Sequence, residues 1–261
     1  MSRIECVIFD WAGTTVDFGS LSPVSAFQEA FRTFGVDVTE DETRAPMGML
    51  KIDHIRTMLA MPEVANRWRN VRGTDPTEAD AQAVYERFEP ALMAVLDRHC
   101  DPKPGLLECV AELRALGIKI GSTTGFTRAM MDVVEPAARA AGYAPDAVMT
   151  AEDTGGYGRP WPFMIFKNMK VLGVKSVTRV LKAGDTVSDI EEALAAGVIP
   201  VGIVEGSSVM GLSRREWDVL DEEERAACRE KTRAVFARAG ARYVIDNLTQ
   251  LPALVRAIEV R

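Results

Sequence analysis

Asp10, Thr124, Arg159, Asp185 and Asp189 are the side chains that could handle phosphorus, and they fall in four separate stretches of the chain. Asp10 ends an apolar run in "VIFDWAGTTVD", residues 7–17. Thr124 lies in "GSTTG", Arg159 in "GYGRPWPF", and the other two aspartates in "AGDTVSDIEEA". A carboxylate can attack phosphorus as a nucleophile. A hydroxyl and backbone N–H groups can hold phosphate oxygens, and a guanidinium can neutralise and bond them in pairs. Asp10 and Asp185 could share a Mg²⁺, which prefers carboxylate oxygens, substrate phosphate and water. Each piece alone is ambiguous: D-x-x-G-T is a common turn, and G-D-T-x-x-D also reads as a loop with a helix N-cap. Two positions after Asp10 stands Ala12, which can neither give nor take a proton.

A second group lies in "RAPMGMLKIDHIRTML", which reads as one helix. Met47, Lys51, His54 and Met58 are then spaced to share a face. Lys51 is the only lysine before Lys103, in a chain that otherwise favours arginine. One account is an amphipathic side chain with its head in water. The other is a buried amine, its pKa lowered from about 10.4 by desolvation, able to attack an aldehyde and form a Schiff base. Arginine cannot do that.

The elements that must position these residues follow from the apolar pattern. "CVIFDW" is a short continuous apolar run, as in a strand buried on both faces. From about Ser22 to Cys100 the pattern is helical, with Thr77 as an N-cap and a helix stopping at Gly35. After Pro104, helices alternate with strands at "IKIGSTTG", "AVMT", "VLKAGDT", "VIPVGIV" and "ARYVID". Such alternation means α/β architecture: a doubly wound, Rossmann-like parallel sheet, here with a helical cap inserted after the first strand. The division is residues 1–18 and 101–261 for the core and 19–100 for the cap. Strand C-termini converge on one crevice, so the chemical residues can meet there.

The remaining composition excludes several classes. The formal charge of −7 does not suggest a nucleic-acid or anionic-membrane partner. No apolar run approaches the roughly 20 residues of a membrane span. "MSRIECVIFD" enters a strand without signal-peptide layout, and four scattered cysteines read as reduced thiols, which together predict a cytoplasmic protein.

With these motifs in this order, the whole chain resembles the haloacid dehalogenase superfamily, whose phosphotransferases use an aspartate nucleophile. Members that hydrolyse phosphate esters usually carry an aspartate where Ala12 stands, as general acid and base. Ala12 therefore argues against an ordinary Mg-dependent phosphatase or phosphomutase, and retention of the other motif residues argues against an inactive binding protein. Ala12 and Lys51 explain each other if the substrate is an aldehyde with a phosphonate on the adjacent carbon. An imine at Lys51 would accept the C–P bond electrons while Asp10 attacks phosphorus.

"FDWAGTTVD", "PMGMLKIDH", "IKIGSTTG", "GRP" and "GDTVSD" are similar to signatures of the phosphonoacetaldehyde hydrolase family within that superfamily. The resemblance implies Asp10 as nucleophile, Lys51 as Schiff-base lysine, and Mg²⁺ held by Asp10, the Ala12 carbonyl and Asp185, with Asp189 supporting. It implies Thr124 and Arg159 as phosphonyl ligands, the latter in place of the superfamily's usual lysine. Met47, Gly48 and His54 would shape the cap-side pocket and help position Lys51 or relay its proton. It further implies a homodimer and a place in 2-aminoethylphosphonate degradation.

Overall fold

The computed structural model describes residues 4–259. Six parallel strands form one sheet: β1 (Cys6–Phe9), β2 (Lys119–Thr123), β3 (Ala147–Met149), β4 (Val180–Gly184), β5 (Ile199–Ile203) and β6 (Tyr243–Ile245). Their order is β3-β2-β1-β4-β5-β6, the doubly wound arrangement expected from the alternation. Every residue of β1, β4 and β5 is buried, which is why these stretches read as continuous apolar runs. β1 pairs with β2 on one side and β4 on the other, with Phe9 opposite Ser122 and Ala183. That register brings Asp10, the end of β2 and the end of β4 to one edge.

Five helices stand between β1 and the second strand's preceding helix. They are α1 (Leu21–Arg32), α2 (Glu40–Arg44), α3 (Lys51–Ala60), α4 (Pro62–Arg72) and α5 (Glu78–Met93). Thr77 caps α5 through a capping box with Asp80, satisfying end donors that would otherwise be orphaned. Within the insert the Phe27 and Phe88 rings stack 4.0 Å apart, in an apolar cluster that runs on into the sheet to Val7 and Phe9 of β1. Truncating Phe27 to Ala there would cost about 3–5 kcal/mol. The remaining helices flank the sheet: α6 (Leu106–Ala115), α7 (Arg128–Ala140), α8 (Phe163–Leu172), α9 (Val187–Ala196), α10 (Arg214–Val219), α11 (Glu222–Ala239) and α12 (Leu251–Glu259). No helix among the described residues is long and apolar enough to cross a membrane. The four cysteines are free thiols.

One expectation fails in detail. The stretch 44–59 is not a single helix, because α3 starts only at Lys51 and residues 45–49 form turns. Gly48 has φ +92°, and a Cβ there would lie 2.4 Å from Thr186 Oγ1. A helix could not make that left-handed step, and no larger residue could pack so near the loop after β4. Met47 therefore sits in the turn before α3 rather than on its face.

Candidate active site

Asp10 is the first residue past β1, and its N–H still bonds the Ala183 carbonyl at 3.1 Å, so the strand ladder aims its side chain. The chain then turns back at once. The Thr15 hydroxyl bonds the Asp10 carbonyl at 3.0 Å, and the Thr14 hydroxyl donates to Asp185 Oδ1 at 2.8 Å. Trp11 is buried against Tyr143, with ring centroids 5.3 Å apart, so it packs behind the Asp10 turn.

Arg159 is completely buried beside Asp10. Its Nη2 donates to Asp10 Oδ1 at 2.7 Å and to the Thr123 carbonyl at 2.8 Å. Its Nη1 reaches across to the Gly48 carbonyl of the insert at 3.4 Å. Asp10, Glu192 and Asp189 surround it; burial works against its charge, but these carboxylates hold it fully protonated. Asp10 Oδ2 accepts no hydrogen bond among the described residues, leaving one oxygen available for attack. Thr124 Oγ1 accepts the Phe126 N–H at 3.0 Å, which leaves its own proton to donate.

Asp10, Asp185 and Asp189 lie within 4.8 Å of one another. Burial, and then the neighbouring Asp10 and Asp189, push Asp185 well above the usual carboxylate range, so the cluster asks for a cation. Gly13, at φ +84°, makes room beside it: a Cβ there would stand 2.1 Å from Asp185 Oδ2. A set of carboxylates with a backbone carbonyl in a glycine-lined cradle suits a hard divalent ion. Asp189 differs from the other two. Its Oδ2 accepts from the backbone of Asp185 and Thr186 and from the Thr186 hydroxyl, and its Oδ1 from Lys182 at 2.7 Å. Burial opposes its charge, but Arg159 and Lys182 outweigh it and hold Asp189 down at about 2. It is the capping-box residue of α9 and a buttress for the loop after β4.

The insert contributes Lys51, at the first position of α3 and only 3% exposed. Its amine lies 5.0 Å from the Phe126 ring centre and 5.8 Å from that of Phe27, and pairs with no carboxylate among the described residues. Burial lowers its pKa from 10.5 to about 8, with Asp10 pulling the other way. Roughly a tenth of the amine is then neutral at pH 7. Asp10, Ala12, Met47, Lys51, Thr124 and Arg159 all line one cavity of about 20 Å³, room for about one water. Gly48 lines it too, whereas His54 does not. His54 stacks on Phe27 at 3.9 Å, and its Nε2 lies 2.9 Å from the Thr43 carbonyl. Burial, and then Lys51, keep His54 well below its usual pKa, so it is neutral. It touches the amine's surroundings through Phe27.

Several residues escaped the sequence reading. Lys182, Glu192 and Thr123 form the buried network behind Arg159. The signal for Lys182 was present: a lysine inside "VLKAG", a strand buried on both faces, must have a partner. Glu192 gave no signal, because "SDIEEALAA" reads as an ordinary helix. On the insert, Arg44 Nη1 bonds the Gly19 carbonyl at 2.7 Å and the Ser208 carbonyl at 3.3 Å. The Ser208 N–H in turn holds Asp185 Oδ2 at 2.8 Å.

A parallel sheet with a strand-end aspartate, a cluster of carboxylates that could hold a cation and a helical insert fits the haloacid dehalogenase class, and the haloacid dehalogenase-like hydrolase family model matches residues 4–197. A phosphonoacetaldehyde hydrolase of Lysinibacillus sphaericus is 49% identical over 256 residues, 98% of this chain and 95% of that one. One from Bacillus cereus strain AH820 is 46% identical over 257 residues, 98% and 97% of the two chains. The crystal structure of a phosphonoacetaldehyde hydrolase-like protein from Oleispira antarctica superposes with a TM-score of 0.96 at 38% identity, covering 99% of this chain and 94% of that one. The chain belongs to the phosphonoacetaldehyde hydrolase family of haloacid dehalogenase-like hydrolases.

Proposed function

We propose that this protein hydrolyses the carbon–phosphorus bond of phosphonoacetaldehyde to acetaldehyde and phosphate. The observation that carries the proposal is Lys51, a buried amine lowered to about 8 that lines the same cavity as Asp10. The names and near full-length similarity of its relatives support the same reading.

The neutral Lys51 amine attacks the aldehyde carbon and forms a protonated imine, releasing water. The Arg159 guanidinium and the Thr124 hydroxyl hold the phosphonyl oxygens. Asp10 attacks phosphorus, and the C–P electron pair flows into the imine, giving an enamine on Lys51 and an aspartyl-phosphate on Asp10. Protonation of the enamine carbon and hydrolysis of the imine release acetaldehyde. A second water cleaves the aspartyl-phosphate to phosphate and free Asp10, so one water is consumed overall. Ala12 suffices because the leaving carbon is activated from the insert, not protonated from position 12. Mg²⁺, when bound by Asp10, the Ala12 carbonyl and Asp185, supplies charge that offsets repulsion between carboxylate and phosphonyl group. His54 and Met47 shape the amine's side of the pocket.

Residues 19–100 act as a cap that opens for substrate, since a cavity of about 20 Å³ cannot admit one closed. The protein works in the cytoplasm as a homodimer, within 2-aminoethylphosphonate degradation. The test is product analysis with phosphonoacetaldehyde and Mg²⁺ beside a panel of phosphate esters. Acetaldehyde and phosphate in equal amounts are expected; turnover of the esters alone would overturn the reading.

A further inference from the structure

Arg159 is bonded along three edges at once. Its Nε meets Glu192 Oε2 at 3.0 Å, its Nη2 meets Asp10 Oδ1 at 2.7 Å, and its Nη1 faces the Gly48 carbonyl at 3.4 Å. The Thr123 hydroxyl closes a ring behind them. It accepts from Arg159 Nη2 at 3.0 Å and donates to the same Glu192 oxygen at 2.9 Å. Glu192 projects from α9, is fully buried, and has no part in the steps above. Lys182, 3.8 Å from Glu192 Oε2 and 2.7 Å from Asp189, supplies the second positive charge in this buried group.

A guanidinium is planar, and its five N–H groups point in fixed directions. Once Nε and Nη2 are pinned, the direction of Nη1 is no longer free. An ammonium carries its donors on one nitrogen and could not serve Glu192, Asp10 and Gly48 together. We infer that Glu192 is a positioning residue that sets the plane of the Arg159 guanidinium, and that it makes position 159 require arginine rather than lysine. The Nη1 edge, shared between the cap turn and the space beside Asp10, is thereby aimed where the phosphonyl group must sit. That last point rests on the proposed function; the setting of the plane does not.

The tests separate the two. A crystal structure of Glu192→Leu, which needs no turnover, is expected to show the guanidinium rotated and Nη1 withdrawn from Gly48. An unmoved guanidinium overturns the inference whatever the substrate is. In kinetics, Glu192→Leu should lower kcat about 10²-fold while borohydride trapping of the Lys51 imine stays at the wild-type rate. A general structural lesion would depress both, and that result would count against the inference. Glu192→Gln keeps an acceptor oxygen and should recover most of the rate. Because Glu192 acts through Arg159, the R159K/E192L double variant should lose no more than R159K alone, and additive losses would contradict the inference. Thr123→Val removes the hydroxyl of the same ring without a charge. It should give a smaller loss of the same kind, which keeps the question answerable if the Glu192→Leu variant misfolds.

Discussion

Lys182 in the core and Lys51 on the insert are both buried lysines, held in opposite ways. Lys182 is fully enclosed in β4 and donates to Asp189 at 2.7 Å. Lys51 is nearly as enclosed, yet it has two aromatic rings for company and no carboxylate partner among the described residues. Burial alone therefore does not decide what a lysine does; the partner does. In the core, charges are matched so that side chains stay fixed. On the insert, the match is withheld, and the amine is left with its pKa lowered to about 8, as the proposed imine step needs. Lys103 shows that a lowered pKa is not enough. Burial lowers it also, but its amine is committed to the Gly13 and Glu205 carbonyls.

The largest effect is expected at Asp10, the proposed nucleophile of the core. Asp10→Asn should cut turnover by at least about 10⁴-fold, yet imine formation at Lys51 should continue, because the two halves act in sequence. Loss of imine formation as well would show that the halves are not separable. Lys51→Arg keeps the cation over Phe126 but cannot form an imine. Steady-state assays should find a fall on the order of 10³-fold or more, and a variant near the wild-type rate would contradict the role of the amine.

Stability should divide the same two lysines. Lys182→Met removes one of the two cations that serve Asp189 and Glu192, leaves Arg159 alone against three buried carboxylates, and should destabilise by about 3–5 kcal/mol. Lys51→Met removes an unpaired buried amine and should leave the melting temperature unchanged or higher. The sign follows from the shift. The folded pKa, about 8, lies below the unfolded value of 10.5. The folded state therefore carries a penalty of about 3 kcal/mol below pH 8. Stability is regained as pH rises from about 8 towards 10.5, a rise that Lys51→Met should abolish. Equal melting temperatures for the two variants would end the contrast. The smallest effect is the pH profile. Activity (kcat/KM) should climb about tenfold per unit to a plateau above about 8, leaving a roughly 10²-fold deficit at pH 6.

The strand-end residues were legible in the sequence because a parallel sheet has only one functional edge. Asp10, Thr124, Asp185 and Asp189 each follow a strand, and Arg159 precedes a helix. The structure brings Asp10, Lys51, Thr124, Arg159, Met47 and Gly48 to one cavity. Helical spacing misplaced Met47, because Gly48 breaks the period to let the turn approach Thr186. It put His54 on Lys51's face, and both side chains do meet Phe27, but the His54 ring bonds the Thr43 carbonyl and does not line the cavity. Glu192 and Thr123 were invisible for a different reason. Their meaning lies in distances across the sheet, between residues whose sequence neighbourhoods look ordinary.

In the proposed mechanism Lys51 is the reactive amine that replaces an acid at position 12. Borohydride added during turnover of phosphonoacetaldehyde with Mg²⁺, followed by peptide mass spectrometry, addresses it directly. Inactivation and a reduced adduct on Lys51 are expected, with Lys103 and Lys182 unmodified. Full turnover with no adduct on Lys51, or an adduct on another lysine, would contradict it.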